Sequence, residues 1–391
     1  MEARWRCIGN SLAAGSLLGS TSVQLEDAYV VPGMPPLQHG GRAVSFFEFW
    51  PMWVMYIPVV LQWLFLAVRY RSLTLPLIAN PNLPIAGMVG VGKSEIFRQA
   101  TGSCAEAILP WVHHQVSGEP IDGQAVQLAA KARARGIQYP LVCKPDIGCR
   151  GSGVKLIHNQ QQLDDYLRSY PSGTDIIVQK LASWEAEAGV FFVRRPGESS
   201  GRVVSLALKY SPYVVGDGVS TLAELIARDS RAGDLQHLYA TRHDANLSDV
   251  IERDKAYRLV FSISHCRGAI FRDGGHLITA ALTDRIDQLM SDIPEFYYGR
   301  LDIKFSNIDA LKQGMDFEIV EINSASSESL HIWDRSARLK AALKTLLWQY
   351  HTLFELGALN RKRGYKPPKI SEILRRWRDE KRLAKYYPLS D

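Results

Sequence analysis

Cysteine is sparse in this sequence and poorly placed for metal chemistry. The five cysteines among 391 residues (Cys7, Cys104, Cys143, Cys149, Cys266) are scattered, with no Cys-x-x-Cys pair and no histidine at zinc spacing. That pattern argues against a structural zinc and for a reducing compartment. Internal repeats and low-complexity tracts are absent, so the chain is not built as an array. An excess of one charge is also missing from most of the chain. The net charge is +6, and residues 361–391 carry eleven basic against four acidic side chains, a net +7, which leaves −1 for everything before them. The basicity belongs to the tail, and a nucleic-acid groove across the whole protein is not expected.

Charge disappears altogether from Phe49 to Val68, "FWPMWVMYIPVVLQWLFLAV", a run of 20 residues and about the length that spans a bilayer's hydrocarbon core. Pro51, Pro58 and Gln62 weigh against a simple span, while Trp50, Trp53, Tyr56 and Trp63 suit a membrane interface. An interfacial or re-entrant segment, a true span and a buried helical hairpin all remain open, because periodicity does not separate them. "RYR" at Arg69–Arg71 belongs on the cytoplasmic side if the segment meets lipid. The apolar run around "LAAGSLLG" is too short and glycine-broken for a cleavable signal.

What is present is an ordinary globular balance, 46% hydrophobic and 22% charged, enough for two or three domains with a substantial core. "GMVGVGKSEIF" from Gly87 fits the spacing of a P-loop. A P-loop needs a buried strand running into it, yet Pro76, Pro81 and Pro84 precede this one and deny ladder donors to a central strand.

Further on, "SEIFRQATG" reads as a short helix capped by Ser94 and stopped by Gly102. "AVQLAAKARARG" is a helix ended by Gly136, and "YPLVCKPDIGCRGSGVKLI" is two strands joined by a glycine-rich turn. A helix from about Gln160 to Tyr170 and the strand "DIIVQKL" follow. "EAGVFFVRR" and "GRVVSLALKYSPYVV" are strands, and "STLAELIARD" is a helix capped by Ser220 or Thr221. Residues 231–262 read as a helical insertion, "GAIFRDGGHLIT" as a hairpin and "DRIDQLMSDI" as a helix. "YYGRLDIKFS" and "DFEIVEINSAS" form a strand pair.

Side chains two apart on a strand share a face, so Glu321 and Asn323 emerge together, and Asp302 joins them from the paired strand. Two carboxylates and an amide oxygen are hard ligands suited to magnesium, with phosphates completing the shell. The plain alternative is a charged strand end facing water. Lys144 ends an apolar strand just before Pro145 and a loop containing Gly148, Gly151, Ser152 and Gly153. A lysine there neutralises phosphate charge while a loop nearly free of side chains closes over a nucleotide.

Lysine, glycine loop and a downstream Asp…Glu-x-Asn set in this order resemble the ATP-grasp superfamily, and within it the carboxylate–amine ligases such as D-alanine–D-alanine ligases and cyanophycin synthetases. The resemblance runs from about Gly87 to Ser329 and is carried by "VCKPDIGCRGSGV", "GDGVSTLAELI", "GRLD" and "EIN". It implies an α+β fold in which two α+β subdomains clasp ATP. Residues 1–86 stand as an atypical apolar, aromatic-rich N-terminal region, residues 87–335 as the grasp with a lid at about 105–180, and residues 336–391 as a basic helical tail.

The resemblance further implies that Lys93 is the first lysine of the grasp, reaching ATP phosphates without being a P-loop lysine. It makes Gln179, Lys180 and Leu181 the hinge behind the adenine, and Glu187 the ligand of the ribose hydroxyls. Lys209 would reach the transferred phosphate, Arg300 would steady the acyl phosphate, and Arg267 would contact substrate or phosphate. Asp302, Glu321 and Asn323 would hold Mg2+, as two ions. The implied partners are a small carboxylate and a small amine, joined through an acyl phosphate, with no nucleic acid. The rival readings are a regulatory grasp without ligation and an integral membrane protein with a soluble ATP-binding part. Two departures bear on the substrate: no Rossmann-like alternation precedes Gly87, and "SASSESLHIWD" follows "EIN", where Ser324, Ser326 and Ser327 either bind a substrate carboxylate or cap a helix. The aromatic segment and the basic tail "ISEILRRWRDEKRLAKYY" lead to the expectation of a cytoplasmic enzyme, peripheral at the membrane.

Overall fold

A computed structural model describes residues 29–37, 45–148 and 151–390. The apolar run around "LAAGSLLG", and Cys149 and Arg150 of the glycine loop, lie outside the described residues. The uncharged segment forms one helix, α1 (Met52–Tyr70), and not a hairpin. Two short 3-10 turns follow, at Leu75–Ile78 and Pro84–Gly87, and then α2 (Lys93–Gln99) and α3 (Gly102–Ala107). No strand runs into Lys93, so the P-loop spacing is not housed in a P-loop. Nor does Ser94 cap α2. The N-cap is Gly92, and the Ser94 N–H and hydroxyl both donate to the Asp146 carboxylate at 2.7 Å.

The stretch expected as the lid is built from β1 (Trp111–Gln115), α4 (Ile121–Ala134), β2 (Leu141–Pro145), β3 (Lys155–Ile157), α5 (Gln160–Arg168) and β4 (Asp175–Lys180). Its four strands are antiparallel in the order β1-β4-β2-β3. Helical spacing turns Ala125, Leu128 and Ala132 of α4 and Leu163 and Leu167 of α5 onto Cys143, Ile176 and Val178 of the sheet, the stripe-on-sheet burial that makes a small core. Asn159 caps α5 by accepting from the Gln162 N–H.

A second sheet faces the lid, with order β11-β10-β5-β6-β9. Its strands are β5 (Ala186–Val193), β6 (Arg202–Tyr210), β9 (Ile270–Asp273), β10 (Tyr298–Phe305) and β11 (Phe317–Asn323), all antiparallel. Between β6 and β9 come β7 (Tyr213–Val215), α6 (Leu222–Arg228), α7 (Gln236–Tyr239) and β8 (Ala256–Arg258), with β7 and β8 paired. Thr221 and Glu224 close a capping box on α6. The stretch read as a helical insertion is therefore mostly short turns around its own core of Leu235, Tyr239, Leu259 and Val260.

"GAIFRDGGHLIT" supplies a single strand. After β9 the chain turns through Gly275–Leu277, with the Gly274 N–H bonded to the Leu206 carbonyl at 2.9 Å, and enters α8 (Ala280–Ser291) instead of pairing back. Leu282, Ile286, Leu289 and Met290 of α8 cover one face of the large sheet. The short α9 (Ile308–Lys312) joins β10 to β11.

The long α10 (Leu339–Lys362) closes the other side and carries α1 on its flank. Gly357 has no side chain because the Leu75 carbonyl oxygen lies 2.2 Å from where a Cβ would be. The Asn360 amide binds the Ile78 and Ala79 carbonyls. That anchors Asn80, whose amide accepts from the Tyr297 and Tyr298 N–H groups and donates to Ser324 Oγ. The last helix, α11 (Ile370–Leu383), has no buried residue. Beyond it, the Tyr387 hydroxyl donates to the Ile147 carbonyl and Ser390 Oγ to the Gly151 carbonyl at 2.7 Å.

Candidate active site

The two sheets enclose a cleft of about 440 Å³, and cross-strand register fills its floor. Asp302 on β10 lies opposite Glu321 on β11, and Arg300 opposite Asn323. Directly opposed residues on an antiparallel pair share a face with their Cβ atoms ~5 Å apart. One strand further in, Glu187 on β5 is opposite Lys304 on β10 and Lys209 on β6. Gly189 sits opposite Asp302 in the middle of β5. A Cβ there would lie 2.9 Å from Leu330, 3.1 Å from Arg300 Cδ and 3.4 Å from Asp302 Oδ1. The missing side chain lets Arg300 and Asp302 lie down over the strand.

These charges hold one another. Arg300 grips Asp302 with two parallel bonds, Nε to Oδ1 at 2.8 Å and Nη2 to Oδ2 at 3.1 Å, and its Nη1 donates to the Glu328 carbonyl at 3.0 Å. Lys209 is paired with Glu187 and lies 3.6 Å from Asp302. Burial alone would raise the Asp302 carboxyl, but Arg300 and Lys209 overcome it and hold the group below the usual carboxylate range. Burial likewise opposes the Lys209 charge, and Asp302 and Glu187 reverse that and push it up. Glu187, expected at the ribose, is engaged by Lys209 and, at 3.2 Å, by Lys304.

On the glycine-loop side, Lys93 Nζ donates to the Gly148 carbonyl at 2.7 Å and lies 3.7 Å from Glu321. Lys144, only 4% exposed, donates to Gln179 Oε1 at 2.7 Å and to the Val320 carbonyl at 3.1 Å. Burial pulls its ammonium from the ordinary 10.5 down to about 8, Lys93 adding to the effect and Glu321 opposing it. Gly148, Gly151 and Ser152 line the cleft, as do Gln179, Lys180 and Leu181 at the end of β4. Gly151 needs its positive φ of 70° and has Ser262 Oγ 2.2 Å from where a Cβ would be.

Two expected residues stand elsewhere. Arg267 does not line the cleft; its Nη2 donates to Ser390 Oγ at 2.9 Å, where the tail meets the glycine loop. Gly153 is packed away under the lid, its carbonyl taking the Tyr166 hydroxyl at 2.9 Å. The serines after β11 are tied to backbone: Ser324 Oγ donates to Ala86, Ser326 Oγ to Gly87 and Ser327 Oγ to Ser324.

Three charged cleft residues escaped the sequence reading, Lys304, Glu328 and Glu380, as did Gly189 beneath Arg300 and Asp302. Gly189 had a signal, since a glycine inside a strand marks a close approach. Glu328 accepts from the Tyr56 hydroxyl of α1, which burial and the carboxylate together push far up. Glu380 of α11 accepts from the Gly90 N–H at 2.7 Å.

Among the described residues, no three of His, Cys, Asp and Glu gather into a metal-binding group. Magnesium asks for less when phosphates complete its shell, usually one or two carboxylates. Asp302 and Glu321, opposed across one strand pair, supply two such carboxylates, but both Asp302 oxygens are held by Arg300 and Asn323 Nδ2 donates to Asp302 Oδ2 at 3.2 Å.

No protein-family profile matches the chain. A cyanophycin synthetase from Synechocystis sp. is 25% identical over 218 residues, covering 50% of this chain and 24% of that protein. The match thus spans about a quarter of its relative's length. Among solved structures, a bifunctional glutathione synthetase from Pasteurella multocida aligns at 13% identity with a TM-score of 0.34, covering 70% of this chain and 38% of that one. A D-alanine–D-alanine ligase from Bacillus anthracis aligns at 13% and 0.36, covering 71% and 72%. At such scores the fold rests on the chain's own topology: a four-stranded lid with a glycine loop, facing a five-stranded sheet that carries acids and lysines in register. That topology agrees with the ATP-grasp fold expected from the sequence, and over half its length the chain is similar to a cyanophycin synthetase.

Proposed function

We propose that the protein is an ATP- and magnesium-dependent ligase joining an amino-acid-like carboxylate to an amine through an acyl phosphate, at the cytoplasmic face of a membrane. The observation that carries this reading is the convergence of Lys93, Lys144, Lys209 and Arg300 on one cleft whose floor holds Asp302 and Glu321.

In the first step a carboxylate oxygen attacks the γ-phosphorus of ATP. The new O–P bond forms as the bridging bond to the β-phosphate breaks, and ADP leaves. Phosphoryl transfer needs positioning and charge neutralisation more than covalent help. Lys93 and Lys144 are placed for the ATP phosphates, beside the glycine loop and the Gln179–Leu181 hinge. Lys209 and Arg300 face the transferred group from the sheet. Magnesium, two ions in this reading, would be held by Asp302, Glu321 and Asn323 and would offset charge on the β- and γ-phosphates. In the second step the amine attacks the acyl carbon, the C–N bond forms, the C–O bond to phosphate breaks and the amine's proton leaves. Arg300 then stabilises the charge on the tetrahedral oxygen, as preorganised donors do. The lid keeps water from the acyl phosphate.

The test is ADP and phosphate release with ATP and magnesium against pools of amino acids, small carboxylates and amines, with Glu321→Gln alongside. Turnover that depends on one pool and is lost in the variant supports the ligase. ATP binding without turnover in any pool points to a regulatory grasp, the reading favoured if Asp302 stays locked by Arg300 and Lys209.

A further inference from the structure

The two faces of α1 have different fates. Met55, Val59 and Leu66 turn inward, among Ala342, Leu346 and Phe354 of α10, and Gln62 Nε2 donates to the Leu347 carbonyl at 3.0 Å. Trp53, Ile57, Val60, Leu61, Leu64, Phe65 and Val68 turn outward, between 47% and 81% exposed. Their spacing of three and four places them in one stripe along the helix. Phe46, Phe49 and Trp50 extend it, at 56%, 42% and 37% exposed. At these exposures the ten side chains offer on the order of 1,000 Å² of apolar surface, against the roughly 300–600 Å² of the largest patch on a typical monomer.

The charges around the stripe indicate its occupant. No charged residue interrupts Phe49–Val68. Arg69 and Arg71 are exposed at its end, and Arg361 joins them, its Nη1 donating to the Tyr70 carbonyl at 2.9 Å. No carboxylate lies on α1 to offset this basic collar. Trp50 and Trp53 stand at the opposite end. Tryptophan and arginine flanking an aliphatic stretch are the side chains that anchor a segment at a bilayer surface, and a basic collar favours anionic headgroups.

From this we infer that the outer face of α1 docks in the plane of an anionic bilayer and enters one leaflet only. Its other face is committed to α10, so the helix does not cross. Docking brings the cleft to the headgroup layer: Met52, the first residue of α1, lines the cleft, and Phe49 stacks 5.4 Å from His265, which also lines it. The inference deepens the membrane part of the proposed function and stands apart from its ligase part.

Flotation of the purified full-length protein with vesicles tests it, using phosphatidylcholine alone and phosphatidylcholine mixed with phosphatidylglycerol, without ATP. The expected result is flotation with the mixed vesicles, weakened about tenfold or more in Phe65→Glu/Val68→Glu, since a charge placed in hydrocarbon is costly. That variant should keep its thermal unfolding midpoint and its ADP release on soluble substrates. Arg69→Glu/Arg71→Glu should lose the preference for the anionic vesicles, and tryptophan emission should shift to the blue on binding. No flotation with either vesicle overturns the inference. So does a dimer by light scattering that the Phe65→Glu/Val68→Glu pair dissociates, because the face then belongs to a second copy. Neither result bears on ATP turnover, so the docking and the ligase reading fail separately.

Discussion

Lys144 allows a prediction with a defined sign. Its ammonium is buried between Gln179 and the Val320 carbonyl and is pulled from 10.5 to about 8. Below pH 8 the native and unfolded chains both hold this proton. Between pH 8 and 10.5 the native chain has released it and the unfolded chain has not, so stability contributed by this site rises with pH. A shift from 10.5 to about 8 corresponds to about 3 kcal/mol across that window. Under the proposed function, binding of ATP runs the opposite way, because the phosphates would need the charged lysine. Urea unfolding of the wild type and Lys144→Met from pH 7 to 10 isolates the site from the tyrosines that titrate nearby. The variant's stability relative to wild type should be most favourable at pH 7 and should decline by 2–3 kcal/mol as pH rises, on top of a constant offset from the orphaned Gln179 oxygen. Wild-type affinity for ATP should weaken above pH 8, a trend absent from the variant. A stability difference that stays flat across the range would refute the argument.

Asp302→Asn and Glu321→Gln should each abolish nucleotide turnover while leaving the circular dichroism spectrum unchanged; full turnover in both removes the metal assignment. Lys209→Met takes one of two cations from Glu187 and from Asp302, which keep Lys304 and Arg300, and should cost about 1.5–3 kcal/mol by urea unfolding, with Glu187→Gln added to it recovering part of the loss. Gly189→Ala sets a methyl against Leu330 and Arg300 Cδ; an overpacking cost of about 1–3 kcal/mol and a drop in turnover larger than the change in ATP affinity are expected. Comparing turnover number with ATP dissociation constant checks the last, since the proposed function has Arg300 serve the transferred group and not the nucleotide.

What the sequence made legible was local. Glu321 and Asn323 share a face by the period of a strand, and Lys144 beside its glycine loop is a matter of neighbours in the chain. The Thr221 cap and the two strands around "GRLD" and "EIN" belong to the same class. Cross-strand register was out of reach, since no spacing shows that Glu187 would face both Lys209 and Lys304. The seat of Arg267 was hidden for a related reason: its partner, Ser390, is 123 residues away. The same distance problem gave Ser94 the wrong role, because the acceptor for its N–H is Asp146 of the lid-side loop and not a neighbour. For α1 the composition was ambiguous between core and lipid, and only the side packed on α10 tells the two faces apart.

The tail touches both jaws of the clasp. Arg376 and Glu380 of α11 hold Gly90, at 3.1 Å and 2.7 Å, while Tyr387 and Ser390 hold the carbonyls of Ile147 and Gly151. A loop fastened this way does not swing alone. If the glycine loop moves to admit a nucleotide, as the proposed function asks, the bonds of Tyr387 to Ile147 and of Ser390 to Gly151 are the ones it strains. The tail thereby behaves as a hasp, fastening the flanks of the glycine loop to a segment whose helix buries no residue and whose Tyr387 packs against the small core.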